Sequence, residues 1–231
     1  VVENKKMCAV LSGAYGTGKT FVIRMLEKRL SRKGYIFSVV VNPAVDDLGI
    51  LKLITYNFIN YKLPSAKSDI IIALEKFLKD TRRDSKHCVV IIDEAQNIND
   101  EKVFEELRML LNFFDDSSSL LTLILSGQTE LKDKLLSNKQ LLQRVYIFCD
   151  LKTLTQDETK DYITWRIKAA GVEKELFSND AISSVYEKSG GIPRWINSIC
   201  DLSLLLACSK GFHVVSPQIV DEAYQSMRGE V

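Results

Sequence analysis

The segment Gly13-Ala-Tyr-Gly-Thr-Gly-Lys19-Thr20 lies between an apolar run at 7–11 and an amphipathic stretch near 20–33. Its pattern, G-x-x-x-x-G-K-[ST], makes chemical sense only after a strand and before a helix. Glycines let backbone N–H groups wrap phosphate oxygens, and the N-terminus of the following helix adds a favourable dipole. Lys19 is then expected to reach the β- and γ-phosphates of a nucleotide, and the Thr20 hydroxyl to bind magnesium. The frequencies of Gly, Lys, Ser and Thr in this chain give roughly 0.6% for a chance match in any window.

The surrounding pattern supplies that context. Apolar runs recur at 7–11, 35–41, 88–92, 120–125 and 145–149, each short and rich in Val, Ile and Leu, as buried parallel strands are. Between them the periodicity predicts helices near 20–33, 46–61, 68–83 and 100–114. Ser68 is expected to cap the third, and Asp100 with Glu101 to open the fourth, where the helix dipole favours negative charge. Alternation of this kind implies a parallel α/β sheet with right-handed crossovers.

After Asp150 the strand signals stop. Thr155-Gln-Asp-Glu158 reads as a capping box leading into a helical face of Tyr162, Ile163, Arg166, Ile167 and Ala170, ended by Gly171. Ser178 is expected to cap a helix that stops at Ser189-Gly-Gly191. Pro193 fits the first turn of another, and Ser216-Pro217 opens a last one over about 217–228. The expected organisation is an α/β core over 1–150 and an all-helical lid over 151–231.

Composition narrows the class. Of 231 residues 46% are hydrophobic, and 31 basic residues against 30 acidic ones leave a formal charge of +1. That argues against a strongly basic nucleic-acid coat, an acidic tail or a disordered chain. No run reaches the ~18 apolar residues of a membrane helix, so no membrane insertion is expected. The five cysteines are odd in number and form no C-x-x-C pair, and His87 and His213 lie outside any ligand cluster. Cys8, Cys88 and Cys149 fall in apolar strand-like runs, where a thiol behaves as a small hydrophobe. A reducing cytoplasm fits this usage. Val1 is not an initiator methionine and no signal-peptide pattern precedes the first run, so the chain reads as a fragment or a processed product.

The second chemical signal is Val89-Val-Ile-Ile-Asp93-Glu94, an apolar strand ending in two carboxylates about 75 residues after the glycine-rich loop. Ligands bind beyond the carboxyl ends of strands in open α/β sheets, which puts Asp93 in reach of magnesium and Glu94 in reach of an attacking water. Ser126 and Gln128 follow the fourth apolar run; either could orient water or begin a turn, and Gln128 is preferred. Arg144 precedes the fifth run. Arg194 falls in a first helical turn whose polar face also holds Asn197 and Asp201. Alone, each arginine reads as a surface residue. Arg24, Arg29, Arg32 and Lys33 read as a solvated helix face, with DNA contact the lesser option.

Together the segments GAYGTGKT, VVIIDEAQN, EELRMLLN, LILSGQTEL, LLQRV, YITWRI-x-x-AG and SGGIPRWINSICD resemble the AAA+ ATPases of the general secretion pathway protein A (ExeA-like) family, over about 7–208. Related folds occur in transposition ATPases of the MuB and TnsC type. The resemblance implies a P-loop NTPase core of the ASCE class, strand order 5-1-4-3-2, and a helical lid. It implies ATP and Mg²⁺ as ligands, with Gly13, Ala14, Tyr15, Gly16, Thr17, Gly18, Lys19, Thr20 and Phe21 around the nucleotide and Thr20 and Asp93 at the metal. Lys19 and Glu94 match its catalytic positions. Gln128 matches its sensor-1 position, Arg144 the arginine that reaches a neighbouring subunit's site, and Arg194 the sensor-2 arginine. A homo-oligomer, ring or filament, is therefore expected. Thr129 stands where the family often has proline. Only about six residues precede the first run, so the helix that closes over adenine in similar proteins is expected to be missing.

Three purposes for hydrolysis stay open. One is an assembly motor serving an envelope or secretion complex, cytoplasmic or at the inner membrane face. Another is a DNA-associated switch of the transposition target-selection type. The third, a small-molecule kinase, is disfavoured by the Asp93-Glu94 pair and the C-terminal lid.

Overall fold

A computed structural model describes residues 1–60, 63–115 and 118–229. The described chain divides into two compact units. One comprises Val1–Gly13 with Lys19–Leu151, and the other Ala14–Gly18 with Lys152–Val231.

In chain order the first unit contains β1 (Cys8–Ser12), α1 (Lys19–Ser31), β2 (Tyr35–Val40), α2 (Asp47–Ile59), α3 (Lys67–Arg83) and β3 (His87–Ile92). A short turn of 3₁₀-helix at Ala95–Asn97 leads to α4 (Glu101–Leu110), β4 (Leu121–Gly127), α5 (Glu130–Ser137), α6 (Lys139–Leu142) and β5 (Val145–Asp150). The strands form one five-stranded sheet in the order β2-β3-β4-β1-β5, every pair parallel. This is the α/β architecture and strand order that the alternating pattern and the resemblance imply. Because all strands run the same way, the ends of β1, β3 and β4 lie along one edge.

Alternation along each strand divides the core. Val90 and Ile92 of β3 join Leu123 and Leu125 of β4 against α2, α3 and α4, while Val89, Ile91 and Ile124 face Ile23 and Leu30 of α1. Both faces of β3 and β4 are covered, so these strands are buried along their whole length, as continuous apolar runs predict.

Several local expectations are corrected. The fifth apolar run is not buried: from Tyr146 onward β5 is exposed, Tyr146 by 60%. Among the described residues it pairs with β1 alone, and apolar composition does not distinguish such an edge from a central strand. Cys149 is exposed with it, whereas burial pushes the Cys8 and Cys88 thiols up to about 12. Ser68 does not cap α3. The cap is Ala66, without a side-chain bond, and the first turn is held by Lys67, whose Nζ lies 2.6 Å from Asp47 Oδ2 and 2.7 Å from Glu106 Oε2. Asp100 does cap α4 through Lys102 N–H, but that helix ends at Leu110, with Leu111 as its C-cap and an antiparallel bridge between Phe114 and Ser119 beyond it. The helix expected over 46–61 closes at Ile59; Tyr61, its expected last residue, lies outside the described residues.

The second unit holds α7 (Gln156–Ala169), α8 (Asn179–Ser189), α9 (Pro193–Ser209) and α10 (Pro217–Arg228). The Thr155–Glu158 capping box and the Ser178 cap form as predicted. Ile163, Val185, Ile196, Ile199 and Val220 make its core. The lid expected to be all helical also contains an isolated parallel bridge between Phe177 and Val215. No helix among the described residues is long and apolar enough to cross a membrane.

Candidate active site

Three strand ends assemble the centre of the first unit. Ser12 pairs with Gly127 and Ile92 with Leu125, so Gly13, Asp93 and Ser126 come from adjacent strands. Lys19 and Thr20 open α1 directly beyond the loop that leaves β1. Lys19 is only 6% exposed, and its Nζ donates to Gly13 O across 2.8 Å. Burial lowers its pKa below the usual lysine value, opposed by the carboxylates of Glu94, Asp93 and Glu130.

Asp93 is 3% exposed and has partners on both oxygens. Thr20 Oγ1 donates to Oδ2 at 2.8 Å. Ser126 Oγ donates to Oδ1 at 2.8 Å, joined by Glu94 N–H at 3.1 Å. A hydroxyl oxygen beside one oriented carboxylate is a hard-oxygen pair suited to Mg²⁺, which takes few protein ligands and completes its octahedron with water and phosphate. Among the described residues no group of three or more His, Cys, Asp and Glu offers an all-protein metal cage. The Thr20–Asp93 oxygen pair fits an ion that takes its remaining ligands from water and phosphate.

Glu94 follows with a left-handed backbone, φ 52° and ψ 37°. Its Oε2 accepts from Gln96 Nε2 at 2.6 Å, and Gln96 Oε1 accepts from Gln128 N–H at 3.0 Å. Gln128 thus enters the cluster through its backbone, half-buried at the end of β4. Phe21, on α1, is exposed.

Arg144 is not brought to this cluster. It precedes Val145, which pairs with Cys8 at the start of β1, whereas Gly13 follows the end of β1. Its guanidinium donates to Asn112 Oδ1 at 3.1 Å and Met7 Sδ at 3.5 Å, along the opposite edge of the sheet.

Within the second unit, Ala14–Gly18 groups with the start of α9. Arg194 N–H donates to Gly16 O at 3.3 Å, and its guanidinium stacks 4.5 Å from the centre of the Tyr15 ring. Gly16 has φ 84°, and a Cβ there would sit 2.9 Å from Ile192 Cγ2, so only glycine suits the position. Thr17 Oγ1 closes the loop onto Ala14 O at 2.9 Å.

Two residues carry more of this arrangement than the sequence reading assigned them. Gln96 lies in the VVIIDEAQN segment, two positions after Glu94, and that spacing was its available signal. Ser126, weighed against Gln128, is the one whose side chain reaches Asp93. The Tyr15–Arg194 stack joins positions 179 apart and had no sequence signal.

A family model described as an AAA domain (AAA_22) matches residues 2–135. Over 227 residues the chain is 35% identical to general secretion pathway protein A of Aeromonas hydrophila, covering 94% of this chain and 40% of that protein. The chain thus spans well under half the length of that relative. Among solved structures, ORC2 of Aeropyrum pernix in its ADPNP–ADP complexes gives a TM-score of 0.71 at 16% identity, over 97% of this chain and 64% of that one. Cdc6p of Pyrobaculum aerophilum gives 0.73 at 19% identity, over 94% and 59%. At these identities the likeness to both structures is one of fold.

Proposed function

The chain belongs to the AAA domain family, and on that premise we propose that it binds ATP with Mg²⁺ and hydrolyses the β–γ phosphoanhydride. It is an AAA+ ATPase domain related to general secretion pathway protein A at moderate identity. We read 1–150 as the ATPase core and 151–231 as its lid. The Thr20–Asp93 contact at 2.8 Å, beside buried Lys19, carries the reading.

In this proposal the loop from Gly13 to Gly18, with Thr20 and Phe21, holds the nucleotide, and Lys19 holds the β- and γ-phosphates. Thr20 and Asp93 hold magnesium, which when bound offsets charge on the phosphate oxygens. Glu94 accepts a proton from water as the water oxygen bonds to the γ-phosphorus. The bond to the bridging oxygen breaks, and its electrons leave with ADP. Gln128 helps align that water and Arg194 reports the γ-phosphate. Arg144, on the opposite edge of its own sheet, serves the site of a neighbouring copy, so the working form is an oligomer.

The purpose of turnover follows the relative. The likeness to general secretion pathway protein A supports a secretion-linked role, and we propose that turnover assembles or remodels an envelope complex. Mg²⁺-dependent release of phosphate from ATP, lost in Lys19→Ala, tests the activity. The reading fails if Lys19→Ala turns over ATP at the parent rate. ATP-dependent, salt-sensitive retention on DNA would replace the secretion-linked role with that of a DNA-associated switch.

A further inference from the structure

We infer that Gln96 is a positioning residue that ties the end of β4 to the carboxylate of Glu94. The inference deepens the proposed function and rests on Glu94 being the base.

The side-chain amide of Gln96 is used at both ends. Its oxygen accepts from Gln128 N–H at 3.0 Å and its nitrogen donates to Glu94 Oε2 at 2.6 Å. A backbone N–H on one side and a carboxylate on the other permit a single orientation, because a flipped amide would oppose donor to donor and acceptor to acceptor. The amide is also confined. A Cβ added at Gly127 would lie 2.6 Å from Gln96 Oε1, so the close approach of the amide to β4 depends on that glycine. The Gln96 backbone is held from α5, where Lys134 Nζ donates to Gln96 O at 2.6 Å and to Ile98 O at 2.8 Å.

Glu94 itself needs holding. Its left-handed backbone is one that non-glycine residues keep only where surrounding structure enforces it. Asp93 Oδ1 takes the Glu94 N–H and Gln96 takes the carboxylate, so both the peptide and the side chain of the base are fixed. Displacement of Gln128 is thereby transmitted to Glu94 through one side chain, linking the end of β4 to the water-activating group.

The test uses the chain as it is, with Gln96→Leu, Gln96→Glu and Glu94→Gln, the last also combined with Gln96→Leu, and Glu94→Ala for the spectra. Gln96→Glu keeps an acceptor for Gln128 N–H and sets a carboxylate against Glu94. Both Gln96 variants should lower single-turnover hydrolysis about 10- to 100-fold, with ATP affinity within about twofold of the parent. Added to Glu94→Gln, Gln96→Leu should cost nothing further, which a merely structural role would not produce. In ¹H–¹⁵N spectra the Gln96 side-chain amide should move toward solvent-exposed values in Glu94→Ala. Parental hydrolysis in both Gln96 variants, a multiplicative loss in the double variant, or an unmoved amide signal would overturn the inference. If Glu94→Gln is inactive while Gln96 variants keep the parent rate, the base reading stands and the Gln96 role falls. If Glu94→Gln turns over at the parent rate, both fall.

Discussion

Thr20 Oγ1 donates to Asp93 Oδ2 across 2.8 Å, joining the residue that opens the first helix to the one that ends the third strand. The two are 73 positions apart, and the contact exists because β1 and β3 point their carboxyl ends to the same edge of a parallel sheet. If this pair holds magnesium, Thr20→Val should make ATP binding insensitive to the metal. ATP affinity measured by calorimetry with Mg²⁺ and with EDTA should differ for the parent by about tenfold or more and converge for the variant. A variant that keeps the parental Mg²⁺ effect would remove Thr20 from the metal site.

Lys19 and Glu94 should separate binding from chemistry. Lys19→Ala leaves the phosphates without their buried cation and should abolish ATP binding. Glu94→Gln is isosteric and should bind ATP with near-parental affinity while hydrolysing it about 10²–10⁴-fold more slowly, the usual range for loss of a general base. Binding and single-turnover assays on the same preparations distinguish the two. Equal losses of affinity in both variants would mean that Glu94 holds substrate instead of activating water.

Arg144 hydrogen-bonds Asn112 and immediately precedes β5, one strand length from the end of β1. It therefore serves a site in trans or none. Hydrolysis per subunit should climb with protein concentration and then saturate, and Arg144→Ala should lower the plateau by about 10³–10⁵. Mixing Arg144→Ala with Glu94→Gln should restore part of the rate, because some interfaces then pair an intact Glu94 with an intact Arg144. A rate per subunit that stays flat across concentration would remove the trans arrangement.

What was legible follows from range. Val89–Ile92 and Leu121–Leu125 announce buried strands because both faces of β3 and β4 meet helices, so apolar continuity and burial coincide. Thr155, Ser178 and Asp100 announce their helix starts because capping is decided within three residues. Ser68 misleads because Lys67 ties its helix to Asp47 and Glu106, and tertiary ion pairs leave no local trace. The exposure of β5 was illegible because edge position is a property of the sheet order and not of Val145–Cys149. At the site, Lys19, Thr20, Asp93 and Glu94 stand in contiguous motifs. The Gln96 bridge to Gln128 depends on how close two strand ends come, which Gly127 permits and no motif states.

His87 gives the fold a predictable acid limit, independent of the site. It is 3% exposed, and its Nε2 lies 2.9 Å from Thr122 Oγ1. That hydroxyl spends its hydrogen on Lys6 O at 2.8 Å, so Nε2 carries the imidazole proton and donates, which leaves Nδ1 without a proton. Among the described residues Nδ1 has no hydrogen-bond partner to stabilise a second proton. Burial first, then the charges of Lys5 and Arg82, lower the pKa to about 4. The unfolded chain regains an ordinary histidine value near 6.5, so between those limits it binds more protons than the folded one and stability falls as pH falls. The full shift corresponds to a loss on the order of 3 kcal/mol, complete only below about pH 4. His87→Gln keeps a donor for Thr122 and removes the titration. Urea unfolding of parent and variant at pH 7, 5.5 and 4.5 should show the parent losing stability more steeply, with the difference opening below about pH 6.5. Parallel pH dependences would mean that His87 does not resist its second proton.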